Sequence, residues 1–436
     1  MQYHFPLDLA NQVHKKWTTT IGGEYTPPPL SSDQQLQTLL EVAYLAGMET
    51  DEARHLQFTL CCTPIVDSVR RHHQESTVEA WPFVSDRAFD VQEVRRLAAV
   101  TDLDTSAIWV RFSDKPDQAL AVHGLMNLGP SWANARNAFT YHYDTLPEAL
   151  LIRVPAPGRV MVYQGQYLIA SLQSGNLQDG ETFTPIGLLG AYPLFTEGHD
   201  LLRAEIPEPR HEDPREWHEF EWLAYVNTVL AIVNSIQLYG HGGAVIFASE
   251  NCKFIEEEYV KIKYRLPTAT NYLKKHFVDF MTLRHQLGDM WWLTEAEDKN
   301  APKESEMRLT DYSLQEVQRR LAETCEFVGG LSGTDGAIVL RTDLSIEGFG
   351  TEILLDKARR SRVFKVSDPI GKTREELDSE QFGMRHRSAM RLCSMVPELV
   401  VFVISQDGGV SLVWNDKGDT CFKSGLKTTN INMVLA

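Results

Sequence analysis

Thr334-Asp335-Gly336-Ala337-Ile338-Val339-Leu340 is the stretch that decides the fold we expect for this 436-residue chain. It sets a carboxylate and a glycine in front of an apolar run that is typical of a strand. A second apolar run, residues 244–248, follows the turn His241-Gly242-Gly243 and a helix predicted over residues 219–239. Unbroken apolarity is typical of strands that are covered on both faces. The pattern therefore predicts an α/β domain with a mixed central sheet flanked by helices.

This C-terminal domain is predicted to span residues 215–436. A helical insertion is expected at about 270–328, between the two apolar runs. Glycine and aspartate turns predict two hairpins, one from residues 337–353 and one from residues 399–414.

The upstream part has a different pattern. We expect an extended N-terminal arm over residues 1–31, which hold a Gly-Gly pair and three consecutive prolines. Residues 32–205 are predicted to form a smaller, β-rich α+β domain with a sensor or regulatory role, and a proline-rich boundary follows at 206–214. Its expected elements are helices at 36–47 and 91–99 and strands at 56–60, 107–112, 120–126, 150–154, 159–163 and 166–170.

The amino-acid composition limits the kinds of partner that the protein can bind. A formal net charge of −17 argues against DNA binding by bulk attraction, because a surface that tracks nucleic acid normally carries a basic stripe. The N-terminus lacks the pattern of a secretory signal, and the most apolar helix candidate falls short of a membrane span. None of the six cysteines pair at zinc-ligand spacing, so we expect free thiols. We therefore expect a cytoplasmic protein that does not bind membranes.

The second stretch that carries chemistry is Gly383-Met384-Arg385-His386-Arg387-Ser388-Ala389, at the start of a predicted helix. Guanidiniums near a helix N-terminus favour anions, since free backbone N–H groups and the helix dipole act in the same direction. Each motif also has a simpler interpretation. Asp335-Gly336 alone is most often a tight turn, and an Arg-His-Arg run alone is often a solvated helix start. Together they predict half of a nucleotide site.

The order of these motifs resembles the diadenylate cyclase domain, also called the DisA N-terminal domain, over residues 219–414. Residues upstream, from the helix at 36–47 to about Gly180, resemble DACNV, a divergent sensor class of that superfamily. The resemblance implies that two ATP molecules are condensed into cyclic di-AMP with release of pyrophosphate. It also implies Mg²⁺ or Mn²⁺ and a homodimer with two half-sites face to face.

The resemblance also implies roles for individual residues. Asp335 would orient or deprotonate the 3′-hydroxyl and is the expected metal ligand, and His386 would donate to a phosphate or bind metal. Arg385 and Arg387 would hold phosphate oxygens bidentately. The full set of expected nucleotide-binding positions is Gly336, Ala337, Gly383, Met384, Arg385, Arg387, Ser388, Ser405 and Gln406.

Two departures from the family pattern leave two functions open. Met384 stands where the family usually has threonine, and Ser405-Gln406-Asp407 replaces a serine followed by two acids. Met384 lacks a hydroxyl that could bond a phosphate, and Gln406 lacks the negative charge that could hold a cation. The chain is therefore predicted to be either a cyclase or a catalytically silent sensor. Such a sensor would bind ATP or a cyclic dinucleotide and signal to a protein partner through its N-terminal domain.

Overall fold

The structure is a computed structural model that divides into two compact units, Met1–Thr182 with Asn432–Ala436, and Phe183–Ile431. It describes residues 3–17, 32–51, 54–62, 78–112, 120–129, 132, 149–165, 167–173, 175–179, 189, 193–211, 214–254, 259–267, 271–354, 362–367, 373–406, 408–426 and 428.

The first unit is built on an eight-stranded sheet in the order β10-β9-β8-β7-β3-β5-β6-β4, with a separate two-stranded ribbon, β1-β2. Its helices are α1 (Pro6–Trp17), α2 (Asp33–Met48) and α3 (Val91–Ala98). Its strands are β1 (Thr50–Asp51), β2 (Arg54–His55), β3 (Phe58–Cys62), β4 (Glu79–Ala88), β5 (Ser106–Phe112), β6 (Leu120–Asn127), β7 (Leu150–Ala156), β8 (Arg159–Gln164), β9 (Tyr167–Gln173) and β10 (Asn176–Asp179). All neighbouring pairs are antiparallel except β3 and β5.

Helix α1 replaces part of the extended arm that we expected over residues 1–31. Leu9, Val13 and Trp17 are buried in the same core as Leu36 and Leu39 of α2. Their spacing of four residues puts them on one face of a helix, and burying this face stabilises the segment. The remaining residues of the expected arm, 18–31, lie outside the described residues.

The second unit has a nine-stranded sheet in the order β12-β14-β13-β11-β17-β18-β19-β15-β16. Its helices are α4 (Pro193–Arg203), α5 (Pro214–Tyr239), α6 (Tyr272–Glu295), α7 (Glu304–Gly330) and α8 (Met384–Met395). Its strands are β11 (Gly243–Ala248), β12 (Val260–Arg265), β13 (Ala337–Arg341), β14 (Ile346–Ile353), β15 (Val363–Val366), β16 (Arg374–Leu377), β17 (Leu399–Ile404), β18 (Val410–Asp416) and β19 (Asp419–Ser424).

Helices cover both faces of this sheet, as the apolar strands predict. On one face Ile246 and Val401 pack with Ala389 and Leu392 of α8. On the other face the ring of Phe247 lies 5.5 Å from that of Phe195 in α4. Strand β11 is parallel to β13 and antiparallel to β17, so the sheet is mixed. The predicted mixed α/β class is confirmed at this level.

The boundary between the units differs from the one that the sequence predicts. The prolines predict it at residues 206–214, whereas the second unit already begins at Phe183. The reason is α4, whose Phe195 is fully buried against Tyr225 and Phe247 of the second unit. Among the helices of the described residues, none is both long enough and apolar enough to span a bilayer.

Candidate functional site

Strand register brings three loops of the second unit to one end of the sheet. Ala244 of β11 pairs with Ala337 at the start of β13. Gly243 pairs with Ile404 at the end of the antiparallel strand β17. The loop before β13, the turn before β11 and the turn after β17 therefore lie side by side. They carry Asp335 and Gly336, Gly242, and Ser405 and Gln406 respectively.

Arg385 meets two of these loops at Gly242. A Cβ atom added at Gly242 would stand 2.9 Å from the carbonyl oxygen of Ile404, 3.0 Å from Nη1 of Arg385 and 3.1 Å from the backbone nitrogen of Gln406. The φ of Gly242 is +65°, a conformation that side-chain-bearing residues rarely adopt. Glycine is therefore needed both for the turn and for the space that the guanidinium occupies.

Helix α8 places Arg385 in its first turn. Gly383 is the N-cap residue and makes no side-chain cap, so the first N–H groups of the helix have no side-chain acceptor from that position. Gly383 is exposed, and a Cβ there would meet nothing within 4 Å. Met384 is 75% exposed beside it. Within the described residues no carboxylate pairs with Arg385.

The other two predicted cations of this motif point elsewhere. Nη1 of Arg387 donates to Oε2 of Glu380 at 3.0 Å. Two residues along a helix correspond to a rotation of about 200°, so Arg385 and Arg387 diverge. His386 lies half-buried with Nε2 3.3 Å from Oγ of Ser411 and its ring packed near that of Phe422. The structure thus brings Arg385 to the turn at Gly242 and pairs Arg387 with Glu380.

The loop before β13 combines an exposed carboxylate with a constrained glycine. Asp335 is exposed. Gly336 has a φ of +119°, and a Cβ there would lie 2.5 Å from both the carbonyl carbon of Gly350 and the nitrogen of Thr351. Gly336 therefore lies close to the backbone of β14. Approach of a nucleotide to Gly336 stays a prediction. The side chain of Ala337 is buried in the sheet core.

The remaining predicted positions flank this arrangement. Ser405 forms the turn between β17 and β18, because its nitrogen donates to Gly409 and its carbonyl accepts from Gly408. Gln406 is exposed beside Arg385, and Ser388 is half-buried one turn further along α8. Asp407 lies outside the described residues.

The family resemblance implies a metal ion, which would need several ligating side chains close together. No group of three or more His, Cys, Asp or Glu side chains in the described part of the chain is arranged to hold a metal ion. In this part of the chain, Asp335 therefore does not belong to a group of three metal-ligating side chains. Binding of Mg²⁺ or Mn²⁺ stays a prediction.

The sequence did not single out Gly242 or Glu380 as parts of the site. Gly242 was recognised only as a turn residue. Its signal is a Gly-Gly pair placed directly before a buried strand, where a backbone has to pass close to other atoms. Glu380 has no sequence signal, since its contact with Arg387 depends on the short 3₁₀ turn Ser379–Gln381.

The fold and site define a two-unit mixed α/β protein in which Arg385 lies at a junction of three loops. Comparison with known families adds that residues 25–127 match the family described as "Probable sensor domain DACNV". The predicted DACNV resemblance is confirmed over these residues, which belong to the first unit. No curated protein and no solved structure matches the chain. The resemblance of the second unit to a diadenylate cyclase stays a prediction.

Proposed function

We propose that this chain is a sensor that binds a nucleotide in its second unit and passes this signal to a partner. The observation that carries the proposal is the position of Arg385 at the turn of Gly242, where a Cβ would lie 3.0 Å from Nη1 of Arg385 and 3.1 Å from the backbone nitrogen of Gln406. A guanidinium beside backbone N–H groups at a helix start is a local anion site. Such a site suits the phosphates of ATP or a cyclic dinucleotide.

The overall charge of the protein favours a small, locally held ligand over a polyanion. The chain carries 59 acidic against 42 basic residues, so long-range attraction of nucleic acid is weak. Arg385 has to act through direct contacts instead. Charge-assisted hydrogen bonds from a guanidinium to phosphate supply such contacts.

Three features favour a sensor over an enzyme. Met384 supplies no hydroxyl to a phosphate, Gln406 supplies no charge to a cation, and Arg387 is already engaged by Glu380. The match of residues 25–127 to a sensor family points the same way. In this proposal the first unit contacts the protein partner.

Isothermal titration calorimetry of the full chain with ATP and with cyclic di-AMP tests the proposal. Arg385→Ala is expected to weaken binding at least tenfold, because one charge-assisted contact contributes about 1.5–3 kcal/mol. Arg391→Ala is the matched control, since Arg391 lies on the same helix but faces Glu380 at 3.7 Å. Binding that is absent in the wild type, or equal in both variants, would refute the proposal.

Diadenylate cyclase activity is the second candidate, and the observation in its favour is the exposed carboxylate of Asp335 at the same end of the sheet. Incubation with ATP and Mg²⁺ or Mn²⁺, followed by mass spectrometry, decides it. Cyclic di-AMP in the wild type but not in Asp335→Asn would establish turnover. A protein that binds ATP yet forms neither cyclic di-AMP nor a linear intermediate is the sensor proposed above.

A further inference from the structure

Strand β12 lies at one edge of the nine-stranded sheet and pairs on one side with β14. Among the described residues, no strand pairs with its other side. The nitrogen of Leu354 donates to the carbonyl of Tyr259 at 2.9 Å, so the backbone groups of Tyr259 face β14. Because these groups alternate between the two sides of a strand, the N–H and carbonyl groups of Val260 and Ile262 face outward. Strand β12 therefore offers main-chain groups with which a further strand can pair.

The residues of β12 alternate between apolar and basic. Successive Cβ atoms of a strand point to opposite faces. One face carries the exposed cations Lys261, Lys263 and Arg265. The other face carries Val260, Ile262 and Tyr264. On this second face Val260 and Ile262 pack in the core beneath α8, and the ring of Tyr264 stacks on Phe349 with centroids 4.8 Å apart. The edge thus has one basic face and one apolar face.

The basic face is a local exception in an acidic protein. The chain has a formal net charge of −17, whereas β12 holds three cations and no acid in six residues. Glu352 is directly opposite Lys261 on β14, and the ammonium of Lys263 lies 5.2 Å from the centroid of the Tyr264 ring. In the described part of the chain, no carboxylate forms a salt bridge with any of the three cations. The charge of this edge therefore favours an acidic partner.

A second copy of this chain fits the edge poorly. Pairing β12 with the β12 of another copy would place cations opposite cations or apolar residues, and never opposite an acid. Strand β16, at the other edge of the sheet, contains two acids, but Glu375 and Glu376 are adjacent and so point to opposite faces. Arg374 shares a face with Glu376. Neither edge strand of this sheet thus has acids at alternate positions to match β12.

We propose that β12 is the docking edge for an extended segment of a partner protein in which acidic and apolar residues alternate. Main-chain hydrogen bonds add this segment to the sheet, and its acids lie opposite the three cations of β12. Its apolar residues continue the surface formed by Ile262 and Tyr264. The inference does not depend on nucleotide binding, and it assigns a protein contact to the second unit.

Fluorescence anisotropy of the full chain with a labelled peptide of alternating glutamate and valine tests the proposal. The wild type should bind this peptide more tightly than one with the same composition and its glutamates in a single block. Lys261→Glu/Lys263→Glu should weaken binding about fivefold or more, because two opposite-charge pairs become like-charge pairs. The same variant should gain binding of a lysine–valine peptide, which also shows that it folds. Lys275→Glu/Lys299→Glu, which changes two exposed lysines elsewhere in the second unit, is the matched control and should bind like the wild type.

Peptides N-methylated at alternate residues test for strand pairing itself. A docked strand uses the N–H groups of one side only, so methylation of one alternate set should abolish binding and methylation of the other set should not. Binding of both methylated peptides, or of neither, would overturn the proposal. Equal affinity for the alternating and block peptides would reduce the effect to general charge attraction and also overturn it. Self-association of the wild type that is lost in Lys261→Glu/Lys263→Glu would show that a second copy occupies the edge instead.

Discussion

Arg387 and Glu380 form a salt bridge on a face of α8 that diverges from Arg385. Nη1 of Arg387 lies 3.0 Å from Oε2 of Glu380, and Oε1 of the same carboxylate lies 3.7 Å from Arg391. A carboxylate in this position occupies donors that could otherwise hold phosphate. Among the described residues, Arg387 is thus paired with a carboxylate, whereas Arg385 lies at the turn of Gly242.

The first prediction is that Glu380→Gln leaves the affinity for ATP unchanged. The substitution releases Arg387, but two residues along a helix turn its side chain about 200° away from Arg385, so no contact to a phosphate at Gly242 is added. Calorimetry measures the affinity. Glu376→Gln is the control, because it removes the same charge from β16, where Glu376 faces Arg362 instead. Tighter ATP binding in Glu380→Gln but not in Glu376→Gln would show that Arg387 reaches the ligand.

The second prediction concerns the turn at Gly242. Gly242→Ala should destabilise the second unit by about 1–2 kcal/mol for the positive φ, and by a further 1–3 kcal/mol for crowding against Ile404 and Arg385. Gly240→Ala isolates the first effect, since Gly240 has a φ of +71° but open space around it. Urea unfolding compares the two. Equal losses in the two variants would contradict the close packing at Gly242.

The third prediction follows from a buried carboxylate between α5 and α6. Oε1 of Glu221 lies 3.2 Å from Nε2 of His285, and both residues are almost fully buried. Burial alone would raise the pKa of Glu221. The hydrogen bond and charge of His285, together with the charge of Arg203, outweigh burial and lower that pKa. The carboxylate therefore stabilises the fold above its unfolded pKa, and this contribution is lost as the pH falls through the lower folded pKa.

Glu221→Gln should accordingly destabilise the protein near neutral pH by about 1–3 kcal/mol, because it removes a buried carboxylate that faces Arg203 and His285. The difference from wild type should shrink as the pH falls below the ordinary range of a glutamate. Urea unfolding at several pH values measures both effects. A difference that is independent of pH would show that the pKa of Glu221 is the same in the folded and unfolded states.

The fourth prediction concerns Glu250, whose contribution to stability changes with pH in the opposite direction. Burial, together with the hydrogen bond to Asp343 and its negative charge, raises the pKa of Glu250 to about 7. The folded protein then holds a proton that the unfolded chain releases at lower pH, so stability should fall as the pH rises from about 4.5 to 7. Glu250→Gln should flatten this slope and stabilise the protein at pH 8. Glu398→Gln, on the turn before β17, should leave the slope unchanged.

Strands with continuous apolar sequences could be predicted, and the charged strands at the edges of the second sheet could not. Strands β11, β13 and β17 are buried on both faces, so their sequences are continuous apolar runs. Strand β12 lies exposed at the sheet edge. Its sequence is Val-Lys-Ile-Lys-Tyr-Arg, so charged residues interrupt the apolar run that would indicate a strand. Strand β16, at the opposite edge, carries three charged residues in four and was missed for the same reason.

The candidate site was predictable only in part. Asp335 and Arg385 could be found because each stands at the start of a recognisable element. Their placement at one end of the sheet depends on which strands become neighbours, and local sequence does not determine that. The separation of Arg387 from Arg385 follows from helix geometry, but its pairing with Glu380 depends on a turn of three residues. The stacking of Tyr264 on Phe349 likewise needs the register of β12 against β14.

The junction at Gly242 joins segments that are far apart along the chain, from the end of α5 to the turn after β17. A ligand bound there makes contacts that exist only when all of these segments are folded together. Its binding free energy therefore adds to the free energy of unfolding of the second unit, by an amount that grows with ligand concentration. The melting temperature of the unit is thus itself a reporter of occupancy. A library of nucleotides can be ranked by thermal shift before any reaction or partner is identified.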